Sequence, residues 1–171
     1  MCCHPKYSVE TIYEDESMDL NQLLDQNVYS LTKDSNYYSI SDYGELNGMD
    51  YGLRIMHVNI QSLPSKIDDL KVLLYNLQLE GTVVDVILVC ETFLTDWKVP
   101  KCAIDNYKLY ETHRRSGSRG GVGVYVHKNI QSEGRDDLQI FIEGQLETEF
   151  VEINLYGKSY IVGELYRIPG S

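Results

Sequence analysis

The sequence predicts an α/β domain: a mixed β-sheet with a helix on its outer side, preceded by a mostly disordered acidic leader. Three observations lead there. Two short apolar runs, LRIMHVNI (53–60) and VVDVILVC (83–90), flank one segment of helical periodicity. Only strand-like segments follow. Finally, the acidity of the 171-residue chain is concentrated ahead of the first run.

The chain holds 15 Lys and Arg against 26 Asp and Glu, a formal net charge of −11. Residues 1–50 carry only Lys6 and Lys33 as cations against ten acids, so most of that excess lies in the leader. Tyrosines are scattered through it among Ser, Asn and Asp, without a sustained hydrophobic period. Such composition cannot offset the entropy of ordering, so residues 1–51 are expected to be a mostly disordered leader and 52–171 the folded part.

From Leu53 the pattern changes. LRIMHVNI is short, apolar and β-branched, as a buried strand should be. Pro64 and Ser65 then open a helix, Pro being tolerated in the first turn and Ser65 serving as a cap. Ile67, Leu70, Leu74 and Leu77 recur at three- and four-residue spacing and share one face, and Gly81 closes the helix at C′. VVDVILVC is the second strand. Strand, helix and strand with short links form a βαβ unit, which makes the two strands parallel neighbours. Tyr107–Glu111, GVGVYVH (121–127), Leu138–Ile142 and Phe150–Leu155 read as further strands. Tyr156-Gly157-Lys158 turns the chain back into SYIVGELYR (159–167), antiparallel to its predecessor.

Composition also excludes. No run approaches the roughly 18–20 apolar residues of a membrane span, and the start MCCHPKYSVE has no apolar signal core. Cys2, Cys3, Cys90 and Cys102 form no paired C-x-x-C motif and are read as reduced thiols of an intracellular protein. An acidic chain does not hold nucleic acid through a general basic surface, because counterion release needs cations facing phosphates.

The candidate chemistry lies at strand ends. Asn59 closes the first strand and Glu91 follows the second, and ligands of open α/β sheets gather beyond the carboxyl ends of parallel strands. An amide oxygen beside a carboxylate is a hard donor pair suited to Mg²⁺; the plainer reading is a capping Asn and a solvated Glu. His57 shares a strand side with Asn59 and is read as a hydrogen-bonded core histidine. Cys90 is read as a buried thiol, Asp85 as a capping or orienting group, and Phe93 and Trp97 as lid packing. Glu149 and Glu152 have no partner visible in the sequence.

HVNIQSL (57–63), VDVILVCETFL (84–94), YKLYETHRRSGSRGGVGVYV (107–126) and VGELYRIPGS (162–171) stand in an order that resembles the endonuclease domain of non-LTR (LINE-like) retrotransposons, of the endonuclease/exonuclease/phosphatase superfamily. The resemblance covers about residues 52–171 and implies the N-terminal half of a two-sheet α/β sandwich. It implies metal-dependent nicking of a DNA phosphodiester, with Mg²⁺ or Mn²⁺ as the cation, in a reverse transcriptase-associated nuclear protein. By that resemblance Asn59 and Glu91 arrange the metal, Tyr166 faces the scissile phosphate, and Arg114, Arg115, Arg119 and Arg167 lie near the DNA backbone. The chain reads Tyr-Arg-Ile-Pro where the family has Tyr-Arg-Pro-Pro. It has no counterpart of the later Gly-Asp-Phe-Asn and Ser-Asp-His segments.

Since catalytic groups act as a unit, weak metal binding and no useful cleavage by this chain alone are expected. A half-sandwich would also expose a sheet face and favour self-association or a second half-domain. The alternative is a non-catalytic binding or scaffold protein derived from the same half-fold. A lipid-phosphodiesterase branch of the superfamily is disfavoured by the Arg-Gly-Gly-x-Gly and Tyr-Arg-x-Pro segments.

Overall fold

A computed structural model describes residues 7–12, 52–114, 119–142 and 144–167. The described residues give an α/β architecture with two sheets and a single α-helix, α1, Leu63–Leu79. The first sheet holds β1 (Tyr7–Ile12), β2 (Leu53–Asn59), β3 (Val86–Cys90), β4 (Tyr107–Thr112) and β5 (Val122–His127), in the order β1-β2-β3-β5-β4. Strand β1 falls inside the segment expected to be leader; the rest of residues 1–51 lies outside the described residues.

Strands β2 and β3 are parallel, with Asn59 opposite Cys90, and β5 runs antiparallel to both β3 and β4, so the sheet is mixed as expected. Helix α1 is the crossover that a parallel pair requires. It buries Leu63, Ile67, Leu70 and Leu77, each worth roughly 1.5–3 kcal/mol when fully removed from water. Gly81, at φ +82°, takes the left-handed position after the helix, and its N–H donates to the Gln78 carbonyl. Ser65 does not cap. It sits inside the first turn, its hydroxyl donating 2.8 Å to the carbonyl of Ser62, which is the residue at the N-cap. Asp85 ties the start of β3 to β2, its carboxylate accepting 2.9 Å from the Arg54 N–H.

The second sheet is built on β8 (Leu146–Leu155). Strand β9 (Lys158–Arg167) lies along one edge of β8, while β6 (Gln131–Gly134) and β7 (Phe141–Ile142) share the other. Leu155 pairs with Lys158, so the hairpin turns on two residues, Tyr156 and Gly157, at φ +50° and +79°. Three expectations need correction. Only Phe141–Ile142 of the 138–142 segment is strand; β6 was not foreseen; and β8 begins at Leu146, four residues earlier than its apolar run.

An uncovered inner sheet face is corrected as well. Strands β8 and β9 lie against β3, β4 and β5, and Val122, Val124, Val151 and Ile153 are fully buried. Pleat alternation puts His57, Asn59, Leu88 and Cys90 on the face of the first sheet that meets β9, with Met56, Val58, Ile87 and Val89 on the opposite face. Among the large apolar side chains left in water are Leu138, Ile140, Phe141, Ile142, Ile161 and Leu165 of the second sheet and its approach, and Val72 and Leu79 of α1. No helix among the described residues is long and apolar enough to cross a membrane.

Candidate active site

Beyond the ends of β2 and β3 the backbone stays paired where ordinary strands would part. Ile60 N–H donates to the Cys90 carbonyl at 3.1 Å, Ser62 to Glu91 at 2.8 Å, and Leu63 to Thr92 at 2.9 Å. On the other side Thr92 and Phe93 donate to the carbonyls of Gly121 and Gly120. This zipped rim forces four non-glycine residues to positive φ: Gln61 (46°), Ser62 (89°), Glu91 (54°) and Phe93 (52°). Each such residue costs about 1–2 kcal/mol, and persists only because its surroundings over-determine it. Strain of this kind clusters where side chains are held in place, and Glu91 is one of the four.

Glu91 is where the sequence-predicted residues meet. Asn59 Nδ2 donates to Glu91 Oε1 at 2.9 Å, and Tyr166 Oη donates to the same oxygen at 3.2 Å. An ionised carboxylate only accepts, so the Asn59 amide must present its nitrogen to Glu91 and turn its oxygen away. Asn59 is exposed, and Glu91 and Tyr166 are half-buried, so the cluster is open to a ligand. Burial first, then the neighbouring Glu91 charge and the bond donated to it, hold the Tyr166 hydroxyl above its usual pKa. It therefore stays protonated and available as a donor at neutral pH.

The donor set fits a hard divalent cation. The hydrogen bonds from Asn59 and Tyr166 both fall on Oε1, so a cation would be held through Oε2 of Glu91, with the outward Asn59 oxygen as a second hard ligand. Such an ion would supply Lewis acidity and charge neutralisation at a phosphoryl oxygen. The chain's own groups would position it.

Behind this rim the two sheets meet through acids. Glu147, Glu149 and Glu164 are all buried on the inner face of β8–β9, where Glu147 pairs across the strands with Tyr166 and Glu149 with Glu164. Glu147 accepts from the Arg114 guanidinium and from the Gly121 N–H. A side chain at Gly120 would strike the Arg114 guanidinium, and one at Gly121 would strike Thr92 Oγ1, so the Gly-Gly pair is what lets both partners close on Glu147. Glu149 accepts from Thr112 Oγ1 at 2.7 Å and from Gln139 Nε2 at 3.0 Å; burial raises its pKa and these two bonds lower it, with a net upward shift.

Glu164 bonds His57 Nε2 at 3.2 Å, and that bond, opposed by burial, raises the His57 pKa. Cys90 Sγ lies 3.9 Å from the same nitrogen. Burial, then the charges of Glu164 and Glu91, push the Cys90 thiol up to about 12.

Of the arginines read as DNA-backbone contacts, Arg114 turns inward to Glu147, Arg119 and Arg167 are exposed, and Arg115 lies outside the described residues. Trp97 is not packed as a lid. It is exposed, with Lys101 Nζ 4.7 Å and Lys98 Nζ 5.5 Å from its ring. Glu152, without a visible partner in sequence, pairs with Arg135 at 2.8 Å and with the Ser159 hydroxyl. Of the inward acids, Glu147 and Glu164 were missed and Glu149 was noted without its partners. Their signal was present in LETEFVEI, where Glu147 and Glu149 alternate in phase with Val151 and Ile153, and in GELY, where Glu164 shares the parity of Tyr166.

No protein-family model and no curated protein matches the chain. Among solved structures, a humanized D. rerio TDP2 carrying 14 mutations is similar to it at 19% identity and a TM-score of 0.43, over 65% of this chain and 48% of that one. The chain thus spans about half the length of that structure.

Proposed function

We propose that the Asn59–Glu91–Tyr166 cluster is part of a metal-dependent phosphodiesterase site of the endonuclease/exonuclease/phosphatase type, acting on DNA as the endonuclease of a non-LTR retrotransposon does. The convergence of an amide and a phenol on one carboxylate, at the carboxyl rim of two parallel strands, carries this reading. In it Glu91 and Asn59 hold Mg²⁺ or Mn²⁺, and the Tyr166 hydroxyl donates to a phosphate oxygen. Arg119 and Arg167, both exposed, contact the DNA backbone. With Glu91 and Asn59 as its protein ligands in this reading, the cation is expected to bind weakly and DNA to be nicked slowly. Association with a second half-domain or a second copy belongs to the same reading. The exposed Ile161 and Leu165 on the outer face of β8–β9 support such association.

The test is Mn²⁺ titration of the full chain, followed by paramagnetic broadening of assigned amide resonances. Broadening centred on Asn59, Glu91 and Tyr166, lost in Glu91→Gln, is the expected result. Broadening confined to the acidic residues 1–50, and unchanged in Glu91→Gln, would overturn the site. In parallel, supercoiled plasmid with Mg²⁺ should stay largely intact. Rapid nicking abolished by Glu91→Gln would keep the site and refute the need for a second half.

A further inference from the structure

Three side chains that play no part in the cluster above converge beside it. His57 Nε2 of β2, Cys90 Sγ of β3 and a Glu164 carboxylate oxygen of β9 lie within 4.8 Å of one another. The nitrogen is 3.2 Å from the carboxylate and 3.9 Å from the sulfur. Around a tetrahedral ion with bonds of about 2.0–2.3 Å, neighbouring N, O and S ligands stand roughly 3.3–3.6 Å apart, so the two separations from the imidazole are already close to those of a ligand triangle and the third pair lies within 4.8 Å. Cys90 and Glu164 are buried, whereas the His57 side chain is 42% exposed, which leaves a path for an ion from that side.

The donor set is chemically unlike the first. Imidazole and thiolate are borderline and soft donors that favour Zn²⁺-class ions, while Mg²⁺ prefers oxygen alone.

We propose that His57, Cys90 and Glu164 form a second, Zn²⁺-class metal site that fastens β9 of one sheet to β2 and β3 of the other. Three protein ligands leave one coordination position for water, as in exchangeable rather than closed zinc sites. Its place gives it a consequence. His57 is two residues from Asn59, Cys90 is next to Glu91, and Glu164 is two residues from Tyr166. An ion held here fixes the relative positions of the three strands that carry those residues, whatever reaction they serve. The site stands whether or not the phosphodiesterase reading does.

Co²⁺ is the probe, because a cysteine thiolate bound to it gives a ligand-to-metal charge-transfer band in the near ultraviolet. The protein is the full chain with Cys2→Ser and Cys3→Ser, so that the amino-terminal thiols beside His4 do not compete. One equivalent of Co²⁺ should produce the band, and Zn²⁺ should bleach it. Cys90→Ser should abolish it, Cys102→Ser should leave it unchanged, and Glu164→Gln, which keeps the side-chain shape, should weaken Co²⁺ binding at least tenfold. Glu91→Gln should also leave the band intact, which separates this site from the oxygen site. Absence of a band at millimolar Co²⁺ in a sample with a folded circular dichroism spectrum would overturn the proposal. So would a band that survives Cys90→Ser or disappears in Glu91→Gln.

Discussion

Arg114→Met isolates the contribution of the acid-lined contact between the sheets. The Glu147 side chain is fully buried and that of Arg114 is 16% exposed, so water screens the pair very little. Replacing the guanidinium by an apolar chain of similar length leaves the carboxylate with the Gly121 N–H as its remaining bond. Stranding a buried charge in this way costs about 3–5 kcal/mol, against total domain stabilities of about 5–15 kcal/mol. At a urea m-value near 2 kcal/mol/M, the unfolding midpoint should fall by about 2 M. Adding Glu147→Gln removes the charge but keeps an acceptor for Gly121, so the double variant should return to within about 1–2 kcal/mol of the parent. Urea melts of the parent, both single variants and the double variant close the cycle. Additive effects of less than about 1 kcal/mol each would show that the pair is solvent-screened and that the sheets do not depend on it.

Two further perturbations test the same contact. Burial raises the pKa of Glu149 in the folded state, so the proton-bound form is favoured by folding. That contribution is complete below the unfolded value of about 4.3 and is lost as pH rises through the folded one. Glu149→Gln should therefore be more stable than the parent at pH 7, with the gain shrinking as pH falls toward 4 in thermal melts; a loss of stability at pH 7 would contradict the assignment. Gly121→Ala combines a residue at φ +86° with a methyl group driven against Thr92, and should cost more than about 2 kcal/mol in urea melts, while Gly157→Ala, in open space at φ +79°, should cost about 1 kcal/mol.

The parts of the fold legible in the sequence were those in which burial follows periodicity. The β2–α1–β3 unit has apolar strands and a helix with one buried stripe, and Gly81 marks its end through a φ that other residues avoid. Strand β8 was legible only from Phe150 onward, because its first residues read as polar although Glu147, Thr148 and Glu149 are buried. Thr148 bonds the nearby Ile140 backbone, but the two acids are made tolerable by Arg114, Thr112 and Gln139, which lie 10 to 37 positions away in the chain. No local rule reports a partner at that distance. Ser65 misled for a related reason: hydroxyls cap when the preceding backbone is extended, and here the rim places Ser62 at φ +89° instead. Asn59 and Glu91 could be placed because parallel neighbours end at one edge. The contact with Tyr166 requires the second sheet to fold over the first.

That requirement connects stability to the site. A sandwich closed by Val and Ile alone tolerates sliding, because dispersion contacts are numerous, individually small and non-directional. Here three of the inward positions on β8 and β9 are carboxylates, each bonded to a named group outside that strand pair: Glu147 to Arg114, Glu149 to Thr112, and Glu164 to His57. Each bond is directional, and each would leave a buried acid unsatisfied if the sheets shifted by one residue pair. The penalty for such a shift is therefore several kcal/mol per acid rather than a fraction of one. Tyr166 rides on the strand fixed by Glu164 and lies opposite Glu147, so its 3.2 Å approach to Glu91 follows from the register of the acids behind it. The acids set back from the rim hold the geometry in which Asn59 and Tyr166 meet Glu91.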